Sequence, residues 1–302
     1  MMNNLPSTVT IVPVPFDRGA TRRGASQGPD AIFGAGLKRK LDALGISFQV
    51  DELAGLPEHK GGTHHPQLKH LKEVLTINEQ LAAHVSALAE SGVFPLVLGG
   101  DHSIAIGTLA GLARHYRSLG VIWIDAHSDL NTPDTTPSGN IHGMSLAVSL
   151  GRGDVRLTSI GGAKSTIKPE HVVLIGARSL DQGERDFIRQ EGISCFTMQD
   201  IDRMGMFRVM KEAIRIASTG TDGVHLSFDI DSVDPKIAPG TGTPVQGGLS
   251  YREAHLAMEM LSESGILTSA EFVENNPLLD RGQTTSRLLV GLIGSMLGES
   301  IL

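Results

Sequence analysis

Residues Trp123-Ile124-Asp125-Ala126-His127-Ser128-Asp129-Leu130 close a run, Val121-Ile122-Trp123-Ile124, that is apolar enough for a strand covered on both faces. Asp125, His127 and Asp129 then fall at every second position. In an extended chain, side chains at i, i+2 and i+4 share one face. The spacing therefore predicts two carboxylates and an imidazole converging just beyond the end of a buried strand.

Outward from this stretch the pattern alternates. Short runs rich in β-branched residues (TVTIVPV, FPLVLGG, GVIWIDA, HVVLIGA, GVHLSFD, GILTSAEFV) are separated by segments with helical spacing. The helical segments include Pro29 to Leu44, Pro66 to Glu90, Ile104 to Tyr116 and Tyr251 to Ser264. Nearly continuous apolar runs alternating with helices predict an α/β fold with a parallel sheet between helix layers. With no repeat, low-complexity tract or linker, residues 1–302 read as a single domain.

Composition narrows the function. The 302 residues are 40% hydrophobic and 20% charged, as in a globular domain with a well-buried core. A formal net charge of −7, with no basic run longer than Lys38-Arg39-Lys40, argues against a nucleic-acid partner. The single cysteine, Cys195, precludes an internal disulfide and fits a reducing cytoplasm; beside Phe196 it reads as a small apolar residue rather than a nucleophile. The proline-broken N-terminus reads as a first strand rather than a signal peptide. No apolar stretch approaches the roughly 20 residues of a membrane span.

Four predicted strands end in potential ligands. FPLVLGG runs into Asp101-His102-Ser103, GVIWI into Asp125, His127 and Asp129, HLSF into Asp229 and Asp231, and ILTSAEFV into Glu274. Neighbouring parallel strands would bring these groups to one rim, where open α/β sheets bind ligands. Taken alone, Asp101 reads as a helix N-cap. Taken together, four aspartates in a half-buried rim require cations, because unpaired buried charge is prohibitively costly. Oxygen and imidazole ligands without sulfur favour Mn²⁺ or a similar ion, and the number of ligands suits two ions rather than one. The implied chemistry is metal-assisted hydrolysis. Two loops that follow predicted strands, 131–140 and 234–248, are placed to hold a substrate.

The motifs GGDHS (99–103), DAHSDLN (125–131), SGNIHGM (138–144) and SFDIDSVDP (227–235) resemble those of the ureohydrolase family, and within it the bacterial arginases most. The likeness runs from PFDRGATRRGASQGP to EFVENNP. It implies a three-layer α/β/α sandwich with a parallel sheet of about eight strands, two Mn²⁺ ions per chain, and hydrolysis of L-arginine to L-ornithine and urea. One ion would take His102, Asp125, Asp129 and Asp229, and the other Asp125, His127, Asp229 and Asp231. Asp129 and His142 would handle protons, and Glu274 would anchor the guanidinium with Thr243 nearby. Asn131, Thr136, Ser138 and Asn140 match arginase positions that hold the α-carboxylate. Asp181 and Glu184 match the acidic pair near the α-amino group, although acids three apart also suit a helix's first turn. The family's relatives form homo-trimers or homo-hexamers.

There are departures and rivals. Glu271 and Asn275 stand where related enzymes usually show Asp and Val, and Ser232 replaces a common glycine. On a strand, Glu271 and Glu274 would face opposite sides, which argues against an exchange of roles. GTGTPVQGG (240–248) lacks the lysine of a phosphate loop. Thr63-His64-His65 has no partnering acids and reads as solvated. A two-metal phosphoesterase would need cationic groups where this chain offers acids, and a decayed binding protein would have lost ligands. Agmatinase and guanidinobutyrase remain the nearest alternatives, but agmatinases typically lack the asparagine loop.

Overall fold

The predicted strands assemble into one eight-stranded sheet whose pairs are all parallel. The computed structural model describes residues 8–53, 65–162 and 167–300. Its strands are β1 (Thr8–Val14), β2 (Ser47–Val50), β3 (Phe94–Gly99), β4 (Leu119–Ile124), β5 (Ile167–Ala177), β6 (Ser194–Thr197), β7 (Gly223–Asp229) and β8 (Ser269–Val273). The order is β2-β1-β3-β8-β7-β4-β5-β6. The four strands read as ending in ligands are consecutive neighbours, because β7 and β8 fill the gap the chain leaves between β3 and β4.

Both faces of the sheet are covered, which explains the unbroken apolar runs. In β4, Val121 and Trp123 join one core with the helices Leu71–Glu90 and Ala105–His115, while Ile122 and Ile124 join the other with Met206–Ser218, Tyr251–Ser264 and Thr284–Met296. This is the expected three-layer α/β/α sandwich.

Two boundaries differ from the sequence reading. The segment Pro29 to Leu44 is two helices, Gly28–Gly34 and Leu37–Ala43, broken where Gly36 takes φ 109°, a conformation glycine adopts without a Cβ clash. The long helix begins at Leu71 rather than Pro66, after a left-handed His70 with φ 54°. The helix beginning at Tyr251 starts where expected, closed by a capping box between Ser250 and Glu253. The edge strands β2 and β6 were not anticipated: each has four residues, none of them buried, so no apolar run marks them.

Candidate active site

The GGDHS segment is fixed by contact with the N-terminal loop. A Cβ at Gly100 would overlap the Phe16 carbonyl, so only glycine permits this approach. Asp101 caps the turn at His102–Ile104 through Ser103 N, as expected. Its carboxylate also accepts from Gly19 N at 2.6 Å and Ala20 N at 3.1 Å, a role the sequence did not disclose. Burial, with Glu274 nearby, pushes Asp101 up to about 6.

His102 meets three of the predicted carboxylates. Its Nδ1 lies 3.1 Å from Asp129 Oδ2, 3.1 Å from Asp229 Oδ2 and 3.3 Å from Asp125 Oδ2. His127 Nδ1 lies 3.1 Å from Asp231 Oδ2 and 3.5 Å from Asp125 Oδ1. Asp125 therefore gives one oxygen to each histidine. The ligand atoms of His102, Asp125 and Asp129, and those of Asp125, His127 and Asp231, form two groups, each within 4.8 Å. All six side chains are buried except that of His127, which is partly exposed.

The convergence does not arise by continued strand alternation. β4 ends at Ile124, and Asp129 is left-handed with φ 52°. That turn is held from outside, since the Asp129 carbonyl accepts from Leu146 N and Ala147 N, both at 3.1 Å. The two-residue period does hold for one step past the strand: Trp123 Nε1 donates to Asp125 Oδ2 at 3.0 Å.

The electrostatics call for cations. One imidazole nitrogen faces three carboxylates and can carry only one proton. The guanidinium of Arg178 lies nearby but donates to the carbonyls of Gly176, Asp231, Ser232 and Val245. Burial and the charge of Asp125 push Asp129 up to about 7, although its Oδ2 faces the His102 imidazole that Asp125 and Asp229 share. Burial and neighbouring carboxylates likewise raise Asp229 and Asp231. Asp125 moves the other way: burial raises it, but the hydrogen bonds of His102 and His127 hold it well below the usual carboxylate range. Against its own burial, His127 is pushed up to about 12 by Asp231 and Asp125.

A cavity of 410 Å³ opens beside this cluster, lined by Ala20, Thr21, Arg22, Asn140, His142, Gly242, Thr243, Pro244 and Glu274. Glu274, just beyond β8 with φ 63°, accepts from His142 Nδ1 and from His102 N, both at 2.9 Å. Burial lowers the His142 pKa, but Glu274 outweighs it and the imidazole is pushed up to about 9. Thr243 Oγ1 donates to Asp231 Oδ2 at 2.9 Å.

The remaining candidates sit on two loops at the same rim. Asn131 Nδ2 donates to Asp181 Oδ2 at 2.9 Å, joining the 131–140 loop to the helix Gln182–Glu191. Thr136 Oγ1 accepts from Gly139 N, Ser138 Oγ accepts from Asn140 N, and Asn140 Oδ1 accepts from Thr21. Glu184 faces inward, where it accepts from Ser128 Oγ, Leu130 N and Asp181 N. Its carboxylate thus closes a capping box with Asp181, and Asp181 is the member of the pair left toward Asn131. Thr63 and His64 lie outside the described residues, and His65 is exposed. Burial and Asp200 push the Cys195 thiol up to about 11, in keeping with an inert thiol.

Three contributors went unread in the sequence: Trp123, Arg178 and the loop that carries Thr21. Trp123 stacks on His102, with ring centroids 4.2 Å apart and an interplanar angle of 7°. Its place two residues before Asp125 was the available signal.

Residues 7–298 match the Arginase family. The arginase of Bacillus caldovelox is 56% identical over 298 residues, covering 97% of this chain and 99% of that protein. The arginase of Bacillus subtilis strain 168 is 53% identical, covering 99% of this chain and all of that protein. The native structure of the Bacillus caldovelox enzyme superposes with a TM-score of 0.94 at 54% identity, covering 99% of this chain and 100% of that one. Alike in sequence and backbone over nearly its whole length, the chain belongs to the arginase family, hydrolases that act on the guanidino group of arginine.

Proposed function

We propose that the arginase reaction, in which water converts L-arginine to L-ornithine and urea, runs on this chain at the rim formed by β3, β8, β7 and β4. His102, Asp125, Asp129 and Asp229 would hold one Mn²⁺, and Asp125, His127, Asp229 and Asp231 a second. The residues fit such a pair: all donors are oxygen or imidazole nitrogen, two histidine–carboxylate groups share Asp125, and Asp129 Oδ2 is buried against a His102 imidazole that two other carboxylates share. That shared carboxylate is the observation that carries the reading. When bound, the two ions supply positive charge that lowers the pKa of an attacking water and polarises the guanidinium.

The chain's own groups do the rest. Glu274, which lines the cavity with Thr243, receives the guanidinium as a planar, charge-assisted pair. Asp129 Oδ2 accepts the proton of the water. His142, kept protonated at neutral pH by Glu274, delivers a proton to the leaving amine. At the far end, Asp181 takes the α-amino group, held in place by Glu184 and Asn131. The 131–140 loop offers Asn131, Thr136, Ser138 and Asn140 to the α-carboxylate. Agmatine lacks that carboxylate, so the loop is what favours arginine over it.

Residues 1–302 would form one catalytic domain, a reading supported by the family match across 7–298. The protein would act in the cytoplasm as a homo-trimer or homo-hexamer, with L-arginine as its small-molecule partner. No described helix is long and apolar enough to cross a membrane. The test is urea release from arginine and from agmatine after chelation and resupply of Mn²⁺. Urea from arginine far in excess of urea from agmatine supports the reading, and the reverse preference overturns it.

A further inference from the structure

Beneath His102 the sheet carries a buried carboxylate. In register across four adjacent strands lie Trp123 on β4, Ser227 on β7, Glu271 on β8 and Val97 on β3. All four are fully buried. Glu271 Oε1 accepts the Ser227 hydroxyl at 2.8 Å, and Ser227 Oγ lies 2.8 Å from His102 Nε2. Further along the same face, His225 Nε2 lies 3.5 Å from Glu271 Oε1, and its Nδ1 is 2.9 Å from Ser269 Oγ.

The donors and acceptors in this row allow one arrangement. A carboxylate only accepts, so the single hydroxyl proton of Ser227 goes to Glu271. The Ser227 oxygen is then left as an acceptor, and the proton facing it must sit on His102 Nε2. A neutral imidazole with its proton on Nε2 has its lone pair on Nδ1. Nδ1 is the atom that faces Asp125, Asp129 and Asp229. Without Glu271, the Ser227 hydroxyl could turn and donate to Nε2, which would favour the tautomer with Nδ1 protonated and unable to bind a cation.

We infer that Glu271 is a positioning residue for metal binding: acting through Ser227, it fixes the His102 tautomer that presents Nδ1 to the ion shared with Asp129. This rests on the two-Mn²⁺ reading. It also gives Glu271 a duty separate from that of Glu274, which faces the cavity. Trp123 closes the other side of the imidazole, so the ring is fixed in plane by stacking and in protonation by the Ser227–Glu271 pair.

The experiment is Mn²⁺ titration of the metal-free full-length chain by calorimetry, with folding checked by circular dichroism. The unmodified chain should bind two ions. Ser227→Ala, which removes the acceptor at little cost in volume, and Glu271→Leu should each weaken one ion by about 10–100-fold and leave the other unchanged. Glu271→Gln, which keeps an accepting oxygen, should stay within about threefold of the unmodified chain, a rescue that a purely structural role would not give. If Glu271→Leu does not fold, Ser227→Ala decides. Two ions bound with unchanged affinity in Ser227→Ala, beside a two-ion unmodified chain, would overturn the inference and leave the metal reading standing. Fewer than two ions in the unmodified chain would defeat the metal reading first, and this inference with it.

Discussion

Trp123 lies flat against His102, ring centroid to ring centroid at 4.2 Å, while its Nε1 holds the Asp125 oxygen that faces the same histidine. One side chain thus orients an imidazole and the carboxylate shared by both histidines. Because Trp123 is the only tryptophan in the chain, its fluorescence reports on this site alone. Titrating Mn²⁺ into metal-free protein should quench the emission in step with binding. Trp123→Phe keeps a stacking ring but frees the Asp125 oxygen, and should weaken Mn²⁺ by roughly tenfold. Unchanged affinity would show that the indole only fills space.

The two histidines separate the two ions. His102→Ala should lose the ion shared with Asp129, and His127→Ala the ion shared with Asp231, each retaining about one Mn²⁺ by elemental analysis. Asp125→Asn touches both clusters and should lower the affinity of both ions. Each change should reduce kcat by about 10²–10³-fold or more, as expected when transition-state charge is left unstabilised. An Asp125→Asn chain holding two ions as tightly as the unmodified one would contradict its shared role.

Substrate selection is read where the 131–140 loop meets Asp181. Asp181→Ala should raise the KM for arginine by about 10–100-fold, a loss of roughly 1.4–2.8 kcal/mol of binding, with kcat changed little. Normal arginine binding by this variant would remove Asp181 from the α-amino site. Asn131→Ala should act similarly and narrow the preference for arginine over agmatine, measured as the ratio of their kcat/KM values.

The metal-free protein should lose stability as pH rises. His142 moves from 6.5 up to about 9 on folding, so its contribution is full below pH 6.5 and is lost as pH climbs through 9. Asp129, pushed from 3.8 up to about 7, acts in the same direction: the folded state favours its protonated form, and that advantage disappears as pH passes 7. Thermal denaturation of the chelated protein should show Tm falling by roughly 5 °C or more between pH 5 and 9. Saturating Mn²⁺ should flatten or reverse this slope, since binding to the native state stabilises it. A Tm that rose with pH in the chelated protein would contradict these shifts.

How far the sequence could be read follows from where each contact originates. The central strands were legible because each is buried on both faces, and burial writes itself into composition. The edge strands β2 and β6 were not, being half-covered and four residues long. Asp125, His127 and Asp129 were correctly seen to face the same centre, yet for a partly mistaken reason. The chain leaves the strand at Ile124, and Asp129 is turned by backbone bonds from Leu146 and Ala147. Tertiary contacts of that kind leave no local pattern. Glu184 shows the same limit: its spacing from Asp181 marks both a capping box and an acidic pair, and the structure turns its carboxylate inward. Glu271 stood out in the sequence only as a departure, because its partner Ser227 lies on another strand.

The central claim, that the carboxylates and imidazoles around Asp125 hold two ions, is tested most directly by growing crystals of the chain with Mn²⁺ and collecting anomalous diffraction at the manganese edge. Two peaks should appear about 3.5–4 Å apart, one beside His102 and Asp129 and the other beside His127 and Asp231. A single peak in a chain that releases urea from arginine, or peaks away from Asp125, would contradict it.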